Sequence, residues 1–280
     1  GYKKGGRLMS LKKGRVLVVA GSDSSGGAGI QADIKTITAL GGYAATAITA
    51  LTAQNTTGVA NVQPIEAAFV AHQMKVVLED IGADVLKTGM LHSAPVIEAV
   101  AGVYRMMSAG MVYVLDPVMI AKGGHRLLDI NAVEALKQRL LPLADLITPN
   151  IPEAQALTGI RIDGPEQMEV AAKKILDFGP GSVLLKGGHL EGSKLYDLLV
   201  TSLGSEWFET ERIDTQHTHG TGCTLASAIA TGLAQGLVLD KAVCRAREYV
   251  FKAIRKAPGF GAGHGPLGHT HTVSIFPPKK

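Results

Sequence analysis

The chain has 280 residues, 46% hydrophobic and 19% charged, with 34 glycines and a single Trp, which suits one large α/β domain, or two small ones, rich in strand-to-helix turns. No run approaches the ~18 consecutive apolar residues of a membrane helix, residues 1–10 lack the apolar stretch of a signal peptide, and two cysteines, Cys223 and Cys244, make no disulfide framework, which fits a reducing cytoplasm. The pI near 9.0 comes from six basic residues before position 16, without which the formal +4 becomes −2, so the basicity belongs to a leader and not to a nucleic-acid face.

That leader, residues 1–14, precedes what reads as a single domain over 15–280; Gly1 cannot initiate translation and Met9 can, so residues 1–8 are expected to be processed or non-native. Residues 15–20 read as a buried strand and 30–40 as a helix ended by Gly41-Gly42. Between them Gly27-Ala28-Gly29-Ile30-Gln31-Ala32 has dinucleotide-fingerprint spacing, but residues 44–52 hold no acid for a ribose hydroxyl. The loop is either a flexible turn or, as ligands gather beyond the carboxyl ends of parallel strands, a substrate loop; the second is favoured. Asp33, one turn into the helix, is expected to face the same pocket.

Residues 44–49 form a second strand, then a polar loop over 52–61 carries Gln54, and a helix runs from Pro64 to about residue 79. A carboxamide sets an acceptor beside a donor, the pattern that matches a ring nitrogen next to an exocyclic amine; a solvated loop glutamine is the alternative. Strands over 84–88 and 112–116 flank a helix over 94–108 and end on Lys87-Thr88-Gly89-Met90 and Asp116-Pro117-Val118-Met119. Asp116 is a turn former or a charge near a metal; the methionines read as core or pocket wall.

A helix over 131–140 and a short strand over 145–148 lead to Asn150-Ile151-Pro152-Glu153, an amide and a carboxylate on a turn. After a helix over 165–178 and a strand over 182–186, Lys186 precedes Gly187-Gly188-His189, as a phosphate contact or a snorkelling lysine. Residues 195–201 and 207–213 read as antiparallel strands about a Gly204-Ser205 turn. Thr218-His219-Gly220-Thr221-Gly222-Cys223 then opens an apolar helix over 221–235, with another over 240–256 and a glycine-rich tail.

Alternating strands and helices imply a mainly parallel sheet covered on both faces, with an antiparallel edge added late. Glycines at a helix start let backbone N–H groups converge on an anion where the helix dipole favours it. Cys223 stands in that first turn, where a thiolate is chemically accessible, although a small buried cysteine is the common fate of this residue. A carboxylate elsewhere can hold Mg²⁺ directly or through water. Anion hole plus metal carboxylate is the equipment of phosphoryl transfer, and it points to a small-molecule kinase. No Walker motif is present, and His217 and His219 lack the further ligands of a metal site.

These motifs together resemble the hydroxymethylpyrimidine and phosphomethylpyrimidine kinases of thiamin synthesis, in the ribokinase-like superfamily. The likeness runs in order from Ala20-Gly21-Ser22-Asp23, through Ala53-Gln54-Asn55 and Lys87-Thr88-Gly89-Met90, to Thr221-Gly222-Cys223-Thr224 and His264-Gly265-Pro266. It implies ATP, Mg²⁺ and two successive phosphorylations, of the pyrimidine alcohol and then of its monophosphate. It also implies that Gln54 grips the aminopyrimidine with Asp33, Gly21, Met90 and the Val118 backbone. Glu153 with Asn150, near Asp116, would organise Mg²⁺; Lys186 would touch ATP phosphates; Gly220, Thr221, Gly222 and Cys223 would form the anion hole. This branch carries cysteine where most sugar kinases of the superfamily place an aspartate base. Asp23-Ser24-Ser25-Gly26 is less glycine-rich than in many relatives, and Gln216-His217 stands where relatives often carry Asn. The family tends to dimerise.

The nearest alternative is a kinase for pyridoxal or pyridoxine, substrates without the exocyclic amine that Gln54 would recognise. A nucleotide-binding regulator without turnover is opposed by the retained Asn150, Glu153, Lys186 and Gly220–Cys223 motifs, and a dinucleotide oxidoreductase by the missing ribose-binding acid.

Overall fold

The structure, a computed structural model, describes residues 12–274 and 276 except 122, 123, 125, 130 and 191. Most of the expected leader, residues 1–11, lies outside the described residues; Lys12, at its inner end, pairs with Asp84 at 2.5 Å.

The apolar runs at 15–20, 84–88, 112–116 and 182–186 become the centre of a nine-stranded sheet of order β3-β2-β1-β4-β5-β6-β7-β8-β9. Strands β1 (Arg15–Asp23), β2 (Tyr43–Asn55), β4 (Val85–Thr88), β5 (Val112–Leu115), β6 (Leu146–Ile147) and β7 (Ser182–Lys186) are parallel neighbours. Side chains alternate across each strand. Leu17 and Val19 of β1 enter one core, with helices α2 (Ala67–Asp80), α3 (Ala94–Met107), α5 (Ile151–Thr158) and α6 (Pro165–Leu176). Val16, Val18 and Ala20 enter the other, with α1 (Gly29–Ala39), α7 (Thr221–Ala234) and α8 (Leu239–Arg255). Burying both faces explains why these strands read as unbroken apolar runs, and each fully buried Leu or Val contributes roughly 1.5–3 kcal/mol.

Both edges are antiparallel. The late one, β8 (Lys194–Thr201) and β9 (Gly204–Glu211), was expected, although its turn falls at Ser202-Leu203 and β9 starts earlier, at Gly204. The opposite edge corrects the sequence reading. The polar loop over 52–61 is a hairpin, in which β2 runs on to Asn55 and β3 (Gly58–Pro64) returns beside it, so α2 begins only at Ala67. Every residue of β3 is half-buried or exposed, so it lacks the apolar signature of a core strand.

The hairpin tip is clasped by the glycine-rich tail. Thr56 O accepts from the His264 N–H at 2.8 Å, Thr56 Oγ1 from Gly263 N–H at 3.2 Å, and a Cβ on Gly261 or Gly263 would overlap Thr56. The helix expected over 131–140 is a single α turn, α4 (Ala132–Ala135), passing into a π-helical turn over Leu136–Leu140.

Candidate active site

Beyond the carboxyl ends of β1, β4, β5 and β7 lies a cavity of about 830 Å³. Gly21, Gln54, Met90, Val118, Asp116, Asn150, Glu153 and Lys186 all line it, as does the whole run Gly220 to Cys223. Residues spread over two hundred positions therefore converge as the parallel-sheet rule expects.

The anion loop is an α-helix start built by close approach. Gly220, with φ +82°, is the N-cap of α7, and a Cβ there would overlap the carbonyl oxygen of Gly27 in the first glycine loop. The two loops lock together, so the first loop has the packing role as well as a place at the cavity. Asp23 completes the lock: its Oδ2 accepts from Ala28 N–H and meets His219 Nε2, each at 2.8 Å, while Oδ1 accepts from Ser25 N–H and Oγ–H. Burial alone would raise the Asp23 carboxyl; His219, Ser25 and Ala28 outweigh it and bring it down to about 2.

Lys186 ends β7, with its ammonium 3.4 Å from Asp116 Oδ1 and 3.2 Å from where a Cβ on Gly222 would sit, so it points at the anion loop. Burial disfavours its charge, but Asp116, Glu153 and Cys223 outweigh burial and keep it above the ordinary lysine range.

The run 150–153 is the start of a helix and not an open turn. Asn150 Oδ1 accepts from Glu153 N–H at 2.9 Å and Glu153 Oε2 from Asn150 N–H at 2.8 Å, the reciprocal capping box of α5. Burial pushes the Glu153 carboxyl up to about 7; Lys186 opposes this and Asp116 reinforces it. Among the described residues no group of three or more His, Cys, Asp or Glu could hold a metal alone. The donors present, the Asp116 and Glu153 carboxylates in the same cavity as the glycine-rich start of α7, fit Mg²⁺, which keeps waters and takes one or two carboxylates together with substrate phosphates. Glu153, with one oxygen already held by its cap, suits an outer position through water.

At the far end, Gln54 sits half-buried on the hairpin, its Oε1 accepting from Thr52 Oγ1 at 3.1 Å and its N–H donating to Ser24 Oγ at 2.9 Å. A Cβ on Gly21 would come within 2.8 Å of Met90 Sδ, so glycine there lets the methionine close the wall.

One expectation is corrected and one open alternative is narrowed. Asp33 does not line the cavity: its fully buried carboxylate accepts from Lys87 Nζ at 2.9 Å and Ser227 Oγ at 2.6 Å, beneath the floor. The Cys223 thiol is not poised as a thiolate; burial pushes it up to about 12, against the pull of Lys87 and the Gly29 amide. Sequence reasoning passed over the pairing of Asp23 with His219, 196 positions away; no local spacing signals it. It also left Lys87 without a role.

The phosphomethylpyrimidine kinase family model matches residues 23–268. The chain belongs to that family. It is 47% identical to the hydroxymethylpyrimidine/phosphomethylpyrimidine kinase of Streptomyces coelicolor, covering 91% of this chain and 93% of that one. It is 53% identical to the thiamine biosynthesis bifunctional protein ThiED of Geobacter sulfurreducens, over 94% of this chain but about half (54%) of that longer protein. The ADP complex of Bacillus subtilis pyridoxal kinase superposes with TM-score 0.86 at 37% identity, covering 92% and 98% of the two chains. The fold is therefore ribokinase-like and the protein a kinase, for which ATP is the phosphoryl donor. No described helix is long and apolar enough to cross a membrane.

Proposed function

We propose that this kinase phosphorylates 4-amino-5-hydroxymethyl-2-methylpyrimidine on its hydroxymethyl oxygen, and then the resulting monophosphate to the diphosphate, in thiamin biosynthesis. The observation that carries the reading is that one cavity holds both the anion loop and Gln54. The γ-phosphoryl of ATP sits at the Gly220, Thr221, Gly222 and Cys223 amides, where the α7 dipole favours negative charge. Lys186, which faces Gly222, would contact the ATP phosphates, and Asn150 would lie by the nucleotide. Glu153 and Asp116 would hold Mg²⁺ through its waters, and the ion would supply neutralising charge to the phosphates.

The acceptor ring rests against Gly21, Met90 and the Val118 backbone, with Gln54 pairing to the ring nitrogen and exocyclic amine. Orientation dominates the chemistry, because a loose transition state asks little deprotonation of the alcohol before attack. Residues 15–280 act as one domain, and the active form is a cytoplasmic homodimer, whose mass light scattering reports.

Pyridoxal kinase is the second reading, favoured by the superposition on the Bacillus subtilis enzyme. Coupled ADP-release assays with the pyrimidine alcohol, its monophosphate and pyridoxal in one preparation separate the two. Faster turnover of pyridoxal would overturn the first.

A further inference from the structure

The backbone of Gln54 is pinned at both of its polar atoms. Ser24 Oγ donates to Gln54 O at 2.8 Å and accepts from Gln54 N–H at 2.9 Å, beside a break in the β2–β3 register between Ala53 and Gln54. The amide end is held by Thr52, which also lines the cavity. Thr52 Oγ1 lies 3.1 Å from Gln54 Oε1 and 2.9 Å from Ser22 O. A hydroxyl carries one hydrogen and two lone pairs, whereas both of these partners are acceptors. One hydrogen cannot serve both at full strength. The Ser22 carbonyl can only accept, so its contact requires the hydrogen. The glutamine has a second way to meet Thr52, because a half-turn about its last side-chain bond exchanges Oε1 and Nε2 with almost no change of shape.

Gln31, which also reaches Ser22, is the opposite case. Its Oε1 accepts from Asp23 N–H and its Nε2 donates to Ser22 Oγ, each at 2.8 Å, so a backbone donor fixes which end is which. Among the described residues no backbone donor meets Gln54 Oε1, and Nε2 has no partner. With the amide turned, every group is satisfied. Ser22 O receives the Thr52 hydrogen, a Thr52 lone pair receives one N–H of Gln54, and the glutamine keeps its other N–H and Oε1 side by side for the cavity.

We propose that Thr52 is a positioning residue that sets the polarity of Gln54: it donates to Ser22 O and accepts from Gln54 Nε2, which leaves Nε2 on the Thr52 side of the amide and Oε1 on the far side. The inference rests on the pyrimidine reading and adds the pose of the ring. The ring nitrogen accepts from Nε2, toward Thr52, and the exocyclic amine donates to Oε1, away from it. An analogue with a ring N–H and a carbonyl in place of the ring nitrogen and the amine presents the reverse order. To pair with it the amide must turn back, which sets Oε1 against a Thr52 lone pair or takes the hydrogen from Ser22 O. Acting through the amide, the threonine penalises the oxo form and spares the amino form.

Neutron diffraction from perdeuterated crystals, without nucleotide or acceptor, reads the orientation and needs no substrate. Two deuterons on the Gln54 atom that faces Thr52 are expected, and a bare oxygen there overturns the proposal. In solution, calorimetric titration with the aminopyrimidine alcohol and with its oxo counterpart gives the ratio of their dissociation constants. Thr52→Val keeps the shape and removes the hydroxyl, so it should lower the preference for the amino form about tenfold or more, and Thr52→Ser should hold it within about threefold of wild type. A hydroxyl with a merely structural role would weaken both ligands by the same factor, and an unchanged ratio in Thr52→Val is fatal, as is a wild type that prefers the oxo form. If neither pyrimidine binds the wild type, the pyrimidine reading fails. In that case, or if Thr52→Val does not fold, the neutron map alone decides the orientation.

Discussion

The two ends of the cavity are built from different materials. The phosphate end is made of backbone and buried charge: the helix start at Gly220, the capped start of α5, and Lys186 set between Asp116 and Glu153. The acceptor end is a methionine wall and one half-buried carboxamide on a hairpin that projects from the sheet edge. On the proposed function, chemistry common to any phosphoryl acceptor would sit where the fold is least free to change, and recognition of one acceptor where it is most free. That division would explain how the same scaffold superposes on a kinase named for pyridoxal.

The sharpest way to break the phosphate end is Gly220→Ala. The left-handed φ and the overlap with the Gly27 carbonyl should together cost about 3 kcal/mol or more, with loss of all measurable turnover, checked by thermal melts beside assays. Lys186→Met should keep the fold by circular dichroism yet lower kcat by roughly 10²–10³-fold, the scale of one lost charge-stabilising contact in a transition state. Unchanged kcat would remove Lys186 from the phosphate path.

Glu153→Gln retains a cap oxygen but discards a charge, so turnover at limiting Mg²⁺ should fall by several kcal/mol at most in kcat/KM, with partial recovery as Mg²⁺ is raised. Identical Mg²⁺ dependence in the two proteins would dismiss the metal role. At the other end, Gln54→Ala should cost about 1–3 kcal/mol in kcat/KM for the aminopyrimidine and less for any pyridoxal turnover, because only the former leaves two groups unpaired. Equal losses would erase the contrast between the ends.

The smallest effect concerns the loop lock. Asp23 is depressed in the fold, so its contribution to stability is present above the unfolded value of 3.8 and is lost as pH falls through about 2. The unfolding free-energy gap between wild type and Asp23→Asn, from denaturant titrations, should therefore be constant near neutrality, at about 1–2 kcal/mol, and close between pH 4 and 2. A gap independent of pH would mean the carboxylate does not hold the lock as an anion.

What could be read in the sequence follows the same division. The parallel strands declare themselves because both faces are buried, so Val16 to Ala20 and Val183 to Leu185 are uniformly apolar. Glycine spacing before α7 and the position of Lys186 at a strand end likewise mark two stretches that the structure brings to one cavity. The hairpin is hidden because Gly58, Asn61, Gln63 and Pro64 belong equally well to a loop. Helix α5 is hidden too, being eight residues long with a proline in its first turn. Asp33 looked like a pocket residue from its helical position, but nothing local reveals that Lys87 and Ser227 claim it from below. For Cys223 the sequence leaves an accessible thiolate and a buried thiol side by side; the depth of the site, which no local spacing reveals, favours the second, because burial overrides the helix dipole.

The clasp between Thr56 and the tail joins segments 207 positions apart. A chain emerging from the ribosome at about 5–20 residues per second exposes the tip of the hairpin long before its partner exists. Gln54 therefore leaves the exit tunnel early and waits, its strand edge paired but its tip unheld, until Gly261 to His264 have been made. The hairpin tip is held only once residue 264 has been made, and a nascent chain stalled before residue 260 would carry the Gln54 amide without that buttress.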